Sequence, residues 1–325
     1  MTYAVAAFCR YPLIGTAGSG SYNPMTFKTG PKRPRKKRPS RDKRSARRDK
    51  EWPNPANIPP REARPSRPRV QQRDDGDGGE EAPRAARIPS IPVSRDELLA
   101  RVLHRDALVI VVNKPAGIPV HAGPGGGPNL EELFDVLKFG LPRPPSLAHR
   151  LDRDTSGCLV LGRHPKALRK TGAMFAAGKA KKIYWAIVEG VPKKPEGLIK
   201  LNLRKATPGK GWKMVVHPQG QEAITAYKVR GTTETPNGVR SWIEFEPQTG
   251  RTHQIRVHSA EIGCPIVGDP VYGPQPYDPA RGLLQLHARA ISLPLSPSRP
   301  PIKVSAPPPP HMVDILTACG WRADG

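Results

Sequence analysis

The chain has 325 residues, with 53 Lys+Arg against 28 Asp+Glu and a formal net charge of +25. That balance excludes an acidic or collagen-like protein. Residues 1–90 carry 21 basic and 9 acidic side chains and the remainder 32 and 19, so both parts are cationic and suited to a polyanion whose counterions are released on binding.

The first 41 residues hold no acid, and Arg10 gives them a faint likeness to an organellar presequence, but Pro and Gly interrupt any amphipathic helix. Met25, just ahead of the basic run, is an alternative start. From Lys28 to Lys50 the chain reads KTGPKRPRKKRPSRDKRSARRDK, and Pro/Arg-rich text leads on to the acidic, glycine-rich DDGDGGEE. Such a segment cannot bury enough apolar surface to order itself. Residues 1–90 are therefore expected to be a disordered basic arm, either gripping RNA phosphates or serving as a solvated tail.

Globular texture begins near residue 91 and runs to 297. Leu108–Asn113 reads as an apolar strand. The loop His121–Asn129 holds Gly123, Gly125, Gly126 and Gly127 but lacks the Gly-Lys-Ser/Thr ending of a phosphate loop, so a flexible connection is expected. Asn129 is placed to cap a helix with Leu130, Leu133, Phe134 and Leu137 on its apolar face and Glu132 completing a capping box. Leu159–Gly162 is a second buried strand. Pro165 and Gly178 bracket a helix over Lys166–Ala177. Ile183–Val188 is a strand, Ser241–Glu246 alternates as a strand should, and His253–Ile262 has helical spacing. A Pro-rich extension, residues 298–325, ends in a short helix over Met312–Ala318. The expected fold is α+β, a mixed but mostly antiparallel sheet with flanking helices.

Cys9, Cys158, Cys264 and Cys319 are scattered without a C-x-x-C pair, which argues against a zinc site and for a reduced, cytoplasmic setting. The longest apolar runs are far too short to cross a bilayer, so no membrane role is expected.

The stretch His149-Arg150-Leu151-Asp152-Arg153-Asp154-Thr155-Ser156-Gly157 sets charge directly before an apolar strand. Thr155-Ser156-Gly157 is turn chemistry that would fix Asp152 on a short, rigid loop. A carboxylate held there is either a catalytic group or an ion-paired structural acid. Tyr184 alternates with Ile183, Trp185 and Ile187, so it points to the other face of its strand together with Ala186.

This stretch resembles the H-R-L-D-x-x-T-S-G signature of RluA-family pseudouridine synthases at every fixed position. The resemblance runs from about Leu108 to Leu293. It takes in Asn113-Lys114-Pro115-Ala116-Gly117, Lys182-Ile183-Tyr184-Trp185-Ala186, Thr249-Gly250-Arg251-Thr252-His253-Gln254-Ile255-Arg256-Val257-His258, Pro265-Ile266-Val267-Gly268-Asp269 and Leu286-His287-Ala288, in the family's order. It implies a pseudouridine-synthase-like catalytic domain over 91–297 and a cofactor-free isomerisation of uridine to pseudouridine in structured RNA, ribosomal or transfer.

By the same resemblance Asp152 is the catalytic aspartate, Arg251 the guanidinium that pairs with it, and Tyr184 the ring that stacks on the flipped uracil. Arg150 is the side chain that fills the gap left by the base. Read alone, Arg251 would be a surface arginine, Tyr184 a packed strand residue and Arg150 a phosphate contact. His149 is expected to hold the loop beside the RNA rather than to titrate. Leu286 is either a wall of the uracil pocket or strand core. Residues 1–90 show no S4-type RNA-binding module, which weakens assignment to the larger ribosomal subgroups and leaves open a short-form enzyme on ribosomal or transfer RNA; a monomer is expected.

Two other readings stand beside this one. A non-catalytic RNA-binding or ribosome-assembly protein of the same fold would be expected to have lost Asp152, Tyr184 or Arg251. A hydrolytic nuclease or glycosidase would need a metal cluster or a second carboxylate, for which Asp154 is the nearest acid.

Overall fold

The computed structural model describes residues 92–123, 126–206, 213–276 and 278–323; the basic arm, Met25 and Cys9 lie outside the described residues. After α1 (Arg95–Ala100), whose first turn is capped by the Ser94 hydroxyl accepting from Glu97 N–H at 3.1 Å, come β1 (Val102–Arg105) and β2 (Val109–Lys114). A 3-10 helix (Leu130–Leu137) and β3 (Ser146–Leu147) lead to β4 (Ser156–Gly162) and α2 (Pro165–Ala176). Strands β5 (Lys181–Glu189), β6 (Glu196–Lys205), β7 (Met214–Val216), β8 (Gln221–Thr235) and β9 (Gly238–Pro247) then run to α3 (Gln254–Glu261). Strands β10 (Leu286–Leu293) and β11 (Ile302–Ser305) precede α4 (Pro310–Ala318).

The strands form one sheet in the order β1-β2-β4-β10-β5-β9-β8-β6-β7, with β3 also on β4 and β11 on β10. Among the described residues only the β4–β10 pairing is parallel; the others are antiparallel. The fold is the expected α+β architecture.

The apolar strands serve two cores because side chains alternate across a sheet. Ile110, Val112, Leu159 and Leu161 face the 3-10 helix through Leu130, Phe134 and Leu137, whereas Val109, Val111, Cys158 and Val160 face Met174 of α2 and Val304 of β11. On β5 the same alternation sends Trp185 and Ile187 to Met312 and Leu316 of α4, and Ala186 and Val188 to Ile255 of α3. Each fully buried Leu or Ile contributes roughly 1.5–3 kcal/mol, so these layers fix the register on which the site depends.

Two local expectations are corrected. The segment after Asn129 is a 3-10 helix rather than an α-helix, and Asn129 makes no side-chain cap; its Nδ2 donates to Glu132 Oε1 at 2.5 Å, which spends the side chain that a capping box would have used. The Pro-rich 298–325 segment enters the sheet: β11 pairs with β10 from Ala290↔Ser305 to Leu293↔Ile302, because Ile302 and Val304 can bury beside Leu293 once the prolines have passed. No helix of the described residues is long and apolar enough to cross a membrane.

Candidate active site

The loop before β4 is stapled from several sides. Leu151 is buried in the core beside β4, and Thr155 N–H donates to Asp152 O at 3.2 Å, closing a tight turn that leaves the Asp152 side chain 31 % exposed. Beneath it, the ammonium of Lys114 at the end of β2 is fully buried and donates to the carbonyls of Pro115, Arg153 and Thr155 at 2.8, 2.8 and 2.9 Å. Burial pushes this amine down to about 7, while Asp154 and Asp152 pull the other way. At the start of β4, Ser156 Oγ bonds His287 Nδ1 at 2.8 Å. Gly157 follows with φ +105° and its Cα against Ala288, where an added Cβ would stand 2.3 Å from the carbonyl oxygen. Only glycine fits there.

The sheet order places β10 beside β4 and β5 beside β10, so Tyr184 comes to the same region as Asp152. Burial raises the Tyr184 hydroxyl, and the Asp152 charge raises it further, so the phenol keeps its proton and its ring is the useful part. Opposite stands the start of α3. Arg256 Nη1 lies 3.7 Å and His253 Nε2 3.9 Å from Asp152 Oδ2. Arg256 is itself clamped by Asp269, Nε to Oδ2 and Nη2 to Oδ1, both at 2.7 Å. Asp269 also accepts from the N–H groups of Val271 and Tyr272, and these donors hold its carboxyl below the usual range despite burial.

The guanidinium implied for Asp152 was Arg251, and the structure assigns that position differently. Arg251 is exposed and its Nε donates to Glu222 O at 3.0 Å, while the cation beside Asp152 is Arg256. The reason is geometric: Arg251 lies before the helix, where Gln254 Oε1 accepts from its N–H at 2.9 Å, whereas Arg256 is one turn in, on the buried side of α3.

His149 Nε2 accepts from Val160 N–H at 3.0 Å, its ring packs 4.6 Å from that of Phe175, and burial lowers it to about 4. It is a neutral brace of the loop, turned into the protein rather than toward an RNA. Leu286 is 3 % exposed in the core with Ala186, Ile243 and Ile255, the cluster on which Tyr184 packs. Arg150 is exposed, with Nη1 3.3 Å from His121 Nε2. Asp154 is occupied by Arg153 at 2.9 Å, which takes it away from the acid or base role of a second carboxylate.

Sequence reasoning missed Arg256, Asp269, His253 and Lys114 as parts of this site. All four stand in the blocks quoted for the resemblance, but spacing gives no sign that a lysine at a strand end is buried, or which of two arginines at and before a short helix faces inward.

A loop-borne carboxylate flanked by a guanidinium and an imidazole, with a tyrosine ring beside it, is an arrangement for stabilising or capturing positive character on a substrate carbon. The family profile described as RNA pseudouridylate synthase matches residues 108–261. An RNA pseudouridine synthase of Zymomonas mobilis is 44% identical over 220 residues, covering 67% of this chain and 98% of the relative. Another from Synechocystis is 36% identical over 225 residues, covering 66% and 67%. The structure titled Human RNA Pseudouridylate Synthase Domain Containing 4 superposes with a TM-score of 0.58 at 29% identity, covering 69% of this chain and 95% of that one. The chain belongs to the RluA-type family of RNA pseudouridine synthases. It is an isomerase that acts on RNA.

Proposed function

We propose that this enzyme isomerises one or more uridines of a structured ribosomal or transfer RNA, as a monomer in the cytoplasm, with Asp152 as the group that meets the sugar. In the reaction N1–C1′ breaks, the uracil turns while held, and C5 joins C1′; C5 loses a proton, N1 gains one, and no electrons leave. The breaking bond leaves positive character on C1′, which an ionised carboxylate beside it stabilises or captures covalently. Arg256 sets a positive charge beside that carboxylate, and Tyr184 offers its ring to the extruded uracil. Extrusion costs a few kcal/mol, and Arg150, exposed on the same loop, is long, planar and charged enough to occupy the vacated stack. The arm 1–90 adds sequence-independent phosphate contacts.

The observation that carries this reading is the half-open Asp152 carboxylate at 3.7 Å from a clamped guanidinium. The test is a map of pseudouridine in ribosomal and transfer RNA from cells with and without the gene. A site that vanishes, returns with the wild type and stays absent with Asp152→Asn supports both reaction and substrate class. A site restored by Asp152→Asn removes the role of Asp152.

A further inference from the structure

His253 has a conformation that its place in the helix does not explain. It stands at the N-cap of α3 with φ +52°, in the left-handed region that a non-glycine residue adopts at an energetic cost and keeps where its surroundings over-determine it. A residue at this position commonly turns its side chain back to a free helix N–H. His253 makes no such bond. Its ring instead lies between two other side chains, with Nε2 3.9 Å from Asp152 Oδ2 and Nδ1 2.8 Å from the Tyr272 hydroxyl. The turn that holds this backbone is complete without the ring: Gln254 Oε1 accepts from Arg251 N–H and Thr249 Oγ1, and its Nε2 donates to Ile224 O and Thr225 Oγ1.

The Tyr272 oxygen already accepts from Met214 N–H at 2.8 Å. A backbone N–H can only donate, so the phenolic proton remains free; giving it to Nδ1 uses both the donor and the acceptor of the hydroxyl, where accepting a second N–H would leave that proton unused. A neutral imidazole that accepts at Nδ1 carries its proton on Nε2, the atom that faces Asp152.

We propose that His253, held in its Nε2–H tautomer by Tyr272, is a positioning residue that aims the Asp152 carboxylate at the sugar. The pair sets an N–H 3.9 Å from Oδ2, and Arg256 sets its charge 3.7 Å from the same oxygen. Burial lowers His253 despite Asp152, Asp269 and Asp154, and Arg256 lowers it further, which keeps the ring neutral near pH 7. Burial also lifts the Tyr272 phenol to about 12, so it retains the proton it donates. Lys213 Nζ and Arg256 Cζ lie 5.8 and 5.1 Å from its ring, which also packs against Leu203, Ala223 and Val257.

The inference rests on Asp152 being the reacting carboxylate, and its test separates the two. In the full chain labelled with 15N-histidine, with His253→Gln identifying the resonances, the RNA-free wild type should show His253 as a neutral ring protonated at Nε2, and Tyr272→Phe should mix the tautomers. In turnover of RNA, Tyr272→Phe and His253→Leu should lower kcat about tenfold with KM within twofold, and His253→Gln, which keeps an N–H donor, should recover most of the loss. A wild-type ring protonated at Nδ1, or doubly protonated at pH 7, overturns the proposal whether or not any variant folds. So does a folded His253→Gln no better than His253→Leu while Asp152→Asn is inactive. An active Asp152→Asn instead overturns the underlying reading of Asp152 and leaves the tautomer result standing.

Discussion

Arg256 reaches Asp152 across 3.7 Å while Asp269 grips the far edge of the same guanidinium with two bonds of 2.7 Å. A flexible cation beside a reacting carboxylate would be free to swing away or to pair too tightly. This one is planar, 5 % exposed and fixed from behind, so it contributes field without competing for the position that the sugar carbon needs.

That arrangement separates the two arginines by experiment. Arg256→Lys keeps a charge but loses the fork that Asp269 holds, so kcat should fall at least about a hundredfold, whereas Arg251→Ala should change kcat little. Single-turnover rates on a saturating RNA decide it. Arg256→Leu alone is a poorer probe, because it strands Asp269 as a buried charge at a cost of about 3–5 kcal/mol. Equal kcat losses in Arg256→Lys and Arg251→Ala would contradict the assignment.

Lys114 carries the underside of the catalytic turn. Its three protons meet three carbonyls, two of them on Arg153 and Thr155, so Lys114→Met should remove one donor from each while filling a similar volume; Arg153 O keeps the Gly117 N–H at 3.0 Å. Each unsatisfied buried group costs about 1–3 kcal/mol. The expected result is a loss of several kcal/mol in denaturant unfolding together with a kcat loss that added RNA does not restore. A stable variant with normal kcat would show that the turn stands unaided.

The sequence made the frame legible because periodicity and turn chemistry are local. The runs at Leu108–Asn113 and Ile183–Val188 and the Pro165/Gly178 bracket each became the element their pattern predicts, and the alternation around Tyr184 put Trp185 and Ile187 on the opposite face. What stayed hidden depends on pairing between distant residues. Arg251 and Arg256 are indistinguishable until β8 and the Asp269 turn are placed around α3. The fate of Ile302–Ser305 depends on a free edge of β10, which no pattern within four residues can announce. Asn129 failed as a cap for a related reason, since Glu132 claimed its side chain.

Gly157 ties the signature to the neighbouring strand. With φ +105° and a would-be Cβ 2.3 Å from Ala288 O, Gly157→Ala meets both backbone strain and a backbone clash that no rotamer can relieve. The variant should lose about 3 kcal/mol or more in chemical denaturation, and any folded fraction should show the Asp152 loop displaced, read as lost activity with RNA affinity retained. Gly172→Ala, where an added Cβ meets nothing within 4 Å on α2, is the control expected to be neutral or slightly stabilising.

Acid should weaken the fold through its buried histidines. His258 and His287 are fully buried, and burial lowers both from 6.5 to about 4. The unfolded chain therefore binds more protons than the native one between those values, so the stabilisation is complete above about pH 6.5 and is lost as pH falls toward 4, at up to about 1.4 kcal/mol per pH unit for each ring. The two differ in what replaces them. His287 bonds Ser156 and Ala306, and its loss would disturb the start of β4. Neither nitrogen of His258 has a partner among the described residues, so His258→Leu removes a proton-binding group without stranding a hydrogen bond. Urea unfolding at pH 7.0, 6.0 and 5.0 should give His258→Leu a stability at least equal to wild type at pH 7.0 and a shallower decline below it. A parallel decline in both proteins would mean that His258 takes no part in the acid response.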